Sequence, residues 1–265
     1  MVDRAQICSA VGENSVTDRF SFLDQMMLKG KVAMVTGAGL SEGKATALVL
    51  AQGGADLVLV ANADTEMQET AEGIEALGRR VLGFGADATV PEEIEEVLAQ
   101  TVQLFGKIDI LVNHVSAALP GNLETMTLEM WQEAVDRRLS SLFLWCKTVG
   151  NYMVGQRKGK IINILSIHES VQPFTLVAAH ALRGGMIHFA RALAIEWEKY
   201  NVQVNTIGPD AGPRIASNNE QEEIPGEGKG GAADVGPLVI YLASPASHCI
   251  TGRIFWLGRP DPTWF

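Results

Sequence analysis

The sequence predicts a single α/β domain built on a doubly wound parallel sheet, and three observations predict it. Short apolar runs of strand length recur along the chain, amphipathic stretches of helix length separate them, and a glycine-rich turn follows the first run. Parallel neighbours require a crossover, and a helix between successive strands supplies it. At 265 residues, 47% of them apolar, the chain is long enough for one substantial core.

The strands read as Val32–Thr36, Leu57–Ala61, Val81–Gly85, Ile108–Asn113, Lys160–Ser166, Val202–Ile207 and Arg253–Leu257. Each is a run of the kind that parallel sheets bury on both faces. Helical stretches begin near Gly43, Thr65, Pro91, Leu128, Thr175 and Asp234. Residues 1–30 mix charges with Phe20, Phe22, Leu23, Met26 and Met27 and read as an N-terminal arm, docked at most in its second half; the domain proper spans 31–265. Gly208–Gly231 breaks the pattern, with five glycines after Gly208, three prolines and the acidic Glu220, Glu222, Glu223 and Glu227. It reads as a loop at about 208–232. Because it leaves the carboxyl end of a strand, where ligands bind in open α/β sheets, it is a lid or a solvated connector.

Composition narrows the partners. A net charge of −10 without basic clusters argues against nucleic acid and against an anionic membrane surface. No apolar segment approaches bilayer length and residues 1–30 carry charges throughout, so the expectation is a cytoplasmic protein with a small-molecule substrate. Cys8, Cys146 and Cys249 lack metal-ligand or disulfide-framework spacing, and no metal is expected.

Thr36-Gly37-Ala38-Gly39-Leu40-Ser41-Glu42-Gly43 follows the first strand and opens the first helix. Glycines there let the backbone turn and approach a pyrophosphate, and the helix N-terminus offers unpaired N–H groups at the positive end of its dipole. From about Leu28 onward the chain resembles the short-chain dehydrogenase/reductase (SDR) superfamily, which implies a Rossmann-type fold. That family's TGxxxGxG is matched at Thr36, Gly37 and Gly43, with Ser41 at the middle glycine. The resemblance implies a dinucleotide held by Gly37, Gly39, Leu40, Ser41, Gly43, Asp87, Ala88, Asn113, Arg183 and Pro209. Asn113-His114-Val115 stands for the family's NAG, so Val115 replaces a glycine and His114 becomes a wall residue beside the cofactor path. At the end of the second strand the family's acidic position falls on Ala61, followed by the uncharged Asn62, which leans toward NADP(H) with NAD(H) still open.

The catalytic positions depart from the family. Ser166 retains the serine that polarises the carbonyl. Reading back from Gly185–Ala194 and from Val204-Asn205-Thr206-Ile207-Gly208-Pro209, the tyrosine and lysine of YxxxK fall on Ala179 and Arg183, and the supporting asparagine on Arg138. Arg183 keeps the capacity to bind ribose hydroxyls but not to relay protons near neutral pH. His168 is a candidate catalytic group just beyond Ser166. His180 reads as a packed or half-exposed helix histidine. Arg138 is either an anchor for a carbonyl or carboxylate or a charge that snorkels to solvent.

Ketone reduction needs a proton at the developing alkoxide, whereas an iminium carbon accepts hydride without one. The expectation is therefore an SDR-fold natural-product enzyme acting on a bulky substrate, by relay-free reduction of an iminium or by intramolecular cyclisation. Phe22-Leu23-Asp24-Gln25 and Leu28–Ala33 are similar to the fungal mannitol/sorbose-reductase branch, and the tail Pro260–Phe265 resembles diverged fungal indole-alkaloid SDRs that pair iminium reduction with Diels–Alder cyclisation. Those enzymes use an aspartate near the active-site strand. Here only Glu169 carries a carboxylate between Lys160 and Arg183. The rival expectation is an inactive SDR subunit that supports a catalytic partner; a cofactor-free dehalogenase-type site is a third. The resemblance also implies a homo-dimer or homo-tetramer packed through Leu142–Val149 and Met186–Trp197.

Overall fold

The computed structural model describes residues 26–39, 41–62, 67–115, 123–165, 177–209 and 232–257. They form a seven-stranded sheet in the order β3-β2-β1-β4-β5-β6-β7 with every pairing parallel. The strands are β1 (Val32–Thr36), β2 (Asp56–Ala61), β3 (Val81–Gly85), β4 (Ile110–Val115), β5 (Gly159–Leu165), β6 (Val202–Pro209) and β7 (Ile254–Leu257). The helices are α1 (Ser41–Gln52), α2 (Gln68–Ala76), α3 (Pro91–Phe105), α4 (Leu128–Val135), α5 (Ser141–Gln156), α6 (Val177–Trp197) and α7 (Ala232–Ala243). This is the Rossmann-type doubly wound architecture that the alternation predicts.

The apolar runs become central strands because both faces are covered. β1 and β4 are buried at every position. One face packs a core that includes Met34, Val58, Leu111, Trp145, Met186 and Trp197. The other packs Leu28, Val35, Leu50, Leu59, Ile162 and Val239. Leu28 is fully buried and its N–H donates to the carbonyl of Gly53, so the chain joins the core shortly before β1. The helix ends follow local chemistry. Pro91 opens α3 and Gly106, in the left-handed region, closes it; the Thr127 hydroxyl caps α4 by accepting the Met130 N–H.

Two of the differences from the sequence expectation bear on the site, beside shifts of one or two residues at the ends of β2, β5, β6 and β7. β4 begins at Ile110, not Ile108, and runs on to Val115, because His114 and Val115 stay in register with Ile164 and Leu165 of β5. At its foot Asp109 accepts from Lys31 Nζ at 3.1 Å and forms an ion pair with Lys107 at 2.8 Å, which fixes the turn before the strand. Between α4 and α5 the chain does not run on as an α-helix but widens into one π-helical turn, Asp136–Ser140. Ser141 Oγ donates there to the carbonyls of Arg137 and Arg138, at 2.8 and 3.2 Å. Such turns widen helices by one residue and recur at functional sites.

Candidate active site

The strand order reverses between β1 and β4, and a cleft of about 230 Å³ opens at their carboxyl ends. The sequence-predicted Gly37, Gly39, Asn62, Asp87, Ala88 and Asn113 all line it, together with His114, Val115, Arg137, Ser141 and Trp145. Residues from four strand ends and one helix are thus brought together around one opening.

The glycine turn is built for close approach. Gly37 has φ +66°, and a Cβ there would lie 2.9 Å from the carbonyl oxygen of His114. A Cβ on Gly43 would lie 2.1 Å from the carbonyl oxygen of Gly37. Only glycines let the first turn of α1 fold back onto the end of β1. The Ala38 N–H donates to the Val60 carbonyl at 3.0 Å, pinning the turn to β2. The backbone of Ser41 starts α1, two residues before the expected Gly43, while its side chain and Leu40 lie outside the described residues.

At the far wall Asp87 follows β3. Its Oδ1 accepts from the Thr89 hydroxyl at 2.7 Å and the Thr89 N–H at 2.8 Å. These bonds, and more weakly Arg137, hold the carboxyl below its ordinary range, so it is anionic and fixed in place. On the floor Asn113 donates to Asn163 Oδ1 at 2.9 Å and, more weakly, to Cys146 Sγ at 3.5 Å. Burial, opposed by that contact, pushes the Cys146 thiol up to about 12, so it stays neutral. Asn113 Oδ1 and Trp145 Nε1 are buried with no hydrogen-bond partner among the described residues, an acceptor and a donor left open on residues that line the cleft.

A nicotinamide dinucleotide fits this donor set. A glycine cradle at a helix N-terminus suits the diphosphate, a fixed carboxylate suits adenosine hydrogen bonding, and the floor carries unused polar atoms. Neither Ala61 nor Asn62, at the end of β2, supplies a carboxylate to oppose a 2′-phosphate.

The catalytic positions divide. Ser166 and His168 lie outside the described residues, as do 210–231, most of the segment expected to be a lid or a connector, and the tail from 258. Ala179, at the expected tyrosine position, is fully buried in α6. His180, one residue on, is half-buried. Arg183 is 7% exposed, and its guanidinium stacks 4.5 Å above the Trp256 ring. That ring in turn occupies the space a side chain at Gly208 would need, 2.2 Å from the Cβ position. Arg183 therefore leans on β7 and does not line the cleft described above. Pro209 ends β6.

Arg138 sits in the π-helical turn with 1% exposure, so it does not snorkel to solvent. Its Nε has no hydrogen-bond partner, and among the described residues no carboxylate pairs with it. Desolvation lowers the guanidinium to about 10. Sequence reasoning missed two contacts, the Trp256 stack and a buried ion pair between Glu42 and His114.

The comparisons with known proteins agree with this geometry. The family model for short chain dehydrogenases matches residues 31–221. The chain belongs to the short-chain dehydrogenase family. This short-chain dehydrogenase is 33% identical over 236 residues to the 3-oxoacyl-[acyl-carrier-protein] reductase FabG of Vibrio cholerae, covering 86% of this chain and 96% of that one. It is also 33% identical over 252 residues to 2-dehydro-3-deoxy-D-gluconate 5-dehydrogenase of Bacillus subtilis, covering 89% and 98%. Among solved structures, a short-chain type dehydrogenase/reductase from Mycobacterium marinum superposes with a TM-score of 0.77 at 27% identity, covering 90% of this chain and 97% of that one. Among the described residues, no helix of this short-chain dehydrogenase is long and apolar enough to cross a membrane, and no group of histidine, cysteine and carboxylate side chains is placed to hold a metal ion.

Proposed function

We propose that the chain is a diverged short-chain dehydrogenase that binds NADP(H) and acts on a bulky small-molecule substrate without a tyrosine relay. The reaction is reduction of an iminium-type carbon, intramolecular cyclisation of the Diels–Alder type, or both, as part of a biosynthetic route. One observation supports this reading: a cleft lined by Gly37, Gly39 and Asp87 accompanies a fully buried Ala179 at the position where the resemblance expects the proton donor. The bound dinucleotide supplies hydride. Gly37, Gly39 and Gly43 shape the diphosphate cradle, Asp87 and Ala88 flank the adenosine end, and the uncharged Asn62 tolerates a 2′-phosphate. Ser166 offers a hydroxyl to the substrate, with His168 a second candidate. Arg183 is assigned the ribose hydroxyls, which it reaches by leaving its stack on Trp256. Arg138, a buried cation without a counter-charge among the described residues, binds a carbonyl or carboxylate.

Losing a positioned acid costs a ketone substrate about 10²–10⁴-fold and an iminium little. The test is NADPH oxidation by the purified protein with a panel of cyclic imines and matched ketones. Imine turnover at least about a hundredfold faster than ketone turnover is expected; equal rates on both, or ketones preferred, refute the reading.

A second reading is an inactive subunit that stabilises a catalytic partner. Phe143 on α5 (45% exposed) and Ile195 on α6 (78% exposed) leave apolar surface open on two neighbouring helices, which also suits a homo-dimer or homo-tetramer. NADPH binding without turnover of any imine, together with an active homologue that co-purifies, would favour it. The reading includes a cytoplasmic location, where the free thiols of Cys146 and Cys249 would stay reduced.

A further inference from the structure

Arg138 and Trp145 are buried donors on one helix face. Arg138, in the π-helical turn, precedes Ser141 and Leu142 by three and four residues and Trp145 by seven, the spacing of side chains that share a face. Ser141 Oγ donates back to the Arg138 carbonyl at 3.2 Å. Ser141, Leu142 and Trp145 line the cleft at the ends of β1 and β4, so Arg138 stands on the side of the helix that faces it. The same turn packs on α6, where a Cβ at Gly185 would lie 3.7 Å from Leu139 Cδ2. Arg138 and Trp145 are both 1% exposed, and no acceptor among the described residues engages Arg138 Nε or Trp145 Nε1. The nearby carboxylates are used elsewhere. Asp136 accepts from Gln132 and Ser140, Glu133 pairs with Arg137, and Asp87 is held by Thr89.

Charge decides what this face can accept. With its guanidinium at about 10, Arg138 is a cation at neutral pH. An iminium brought within a few ångströms adds a second positive charge, and at the effective permittivity of a partly buried site the repulsion weakens binding on the order of a hundredfold. A carbonyl oxygen accepts a hydrogen bond but leaves both charges standing. A carboxylate on the same molecule matches the planar fork of the guanidinium and cancels its charge, so that the iminium enters as half of a zwitterion.

We infer that the substrate is an imino acid, an iminium whose own skeleton carries a carboxylate, and that the Arg138 guanidinium holds this carboxylate close to the carbon that is reduced. This rests on the relay-free iminium reading given above. Hydride from the reduced dinucleotide adds to the C=N carbon, the π pair of that bond becomes a lone pair on nitrogen, and the carboxylate is unchanged. The product is an amino acid.

The test compares dihydroisoquinoline carboxylate, its methyl ester and unsubstituted dihydroisoquinoline as substrates of the full-length protein with NADPH. The ester keeps the size of the acid and removes its charge. In wild type, kcat/KM for the acid should exceed that for the ester at least about tenfold, the scale of a lost charged hydrogen bond. The ratio should vanish in Arg138→Met and return in part in Arg138→Lys. Binding gives a readout free of turnover: the product, tetrahydroisoquinoline carboxylate, should raise the Tm of wild type and not that of Arg138→Met, and its amide should raise neither. Ester turned over as fast as acid, or an acid preference that survives in Arg138→Met, overturns the imino acid assignment alone. No turnover of any of these imines overturns the relay-free reading and this inference with it. If Arg138→Met does not fold, the wild-type ratio and the comparison of product with amide decide the matter.

Discussion

Replacing Arg138 by methionine should make the protein more stable and less functional. The side chain is 1% exposed, its Nε has no partner, and burial lowers the guanidinium from its ordinary 12.5 to about 10. At roughly 1.4 kcal/mol per factor of ten, holding the charge in the folded protein costs about 3 kcal/mol. Methionine keeps most of the aliphatic volume and loses about 1 kcal/mol of packing, leaving a net gain of about 2 kcal/mol. For a domain of this length that raises Tm by about 4 °C. The sign fixes the pH dependence. A cation whose folded value is depressed destabilises the fold at every pH below that value, so the gap between variant and wild type stays flat from pH 6 to 9. Scanning calorimetry and urea unfolding measure it. The same variant should bind a carbonyl- or carboxylate-bearing substrate at least about tenfold more weakly, the scale of a lost charged hydrogen bond. A Tm lowered by several degrees would mean that Arg138 is paired within the fold, and the anchor assignment would fall with it.

Gly43→Ala would set a Cβ 2.1 Å from a backbone oxygen that has no side chain to move; a loss of about 1–3 kcal/mol in stability, and of at least tenfold in NADPH affinity, is expected from urea unfolding and calorimetry. Ala179→Tyr places a ring where the alanine is fully buried, so the single substitution should cost about 1–3 kcal/mol and should not restore ketone reduction; recovered ketone turnover at wild-type Tm would show that the pocket still accommodates the tyrosine. Burial tends to raise the Asp109 carboxyl, but hydrogen bonds from Lys107, the Val32 N–H and Lys31 outweigh it and leave it below the ordinary range. Its stabilisation is thus complete above about pH 4 and lost as pH falls through the depressed value, so the stability gap between wild type and Asp109→Asn should be constant near neutrality and close only in acid.

The sheet was legible because its strands are apolar on both faces, and the glycine turn because its spacing has one structural use. Gly37, Gly39, Asn62, Asp87, Ala88 and Asn113 accordingly line one cleft, while Arg183 stacks on Trp256 away from it. What the sequence concealed are contacts between distant positions. Nothing in the local pattern around Glu42 shows that it will meet His114, 72 residues away, although two polar residues at positions that bury apolar or small side chains were a readable signal. Trp256 reaches Arg183 only because Gly208, opposite it in register, leaves room for the indole. The π-helical turn at Asp136–Ser140 escaped because an i→i+5 turn carries the same periodicity cues as the α-helices on either side. The two readings of Arg138, anchor or snorkel, were separable only by burial.

These departures from the family pattern are not scattered. His114, within the stretch that stands for NAG, meets Glu42 of the glycine turn at 2.6 Å, and Arg183, at the expected lysine position, is held by an indole on β7. Substitutions that accumulate without constraint inside a fold leave cavities and orphaned charges at each position, each costing about 1–3 kcal/mol or more. Here two of the polar replacements have found specific partners, and the third, Arg138, keeps a cation in the interior at a cost the fold does not itself repay. A protein of ordinary marginal stability retains such a charge when a ligand supplies the missing partner. That reasoning favours a rebuilt pocket over an idle one, and it ties the choice to Arg138: a substrate anion or carbonyl that stabilises the wild type, and not Arg138→Met, is the ligand the site was rebuilt to hold.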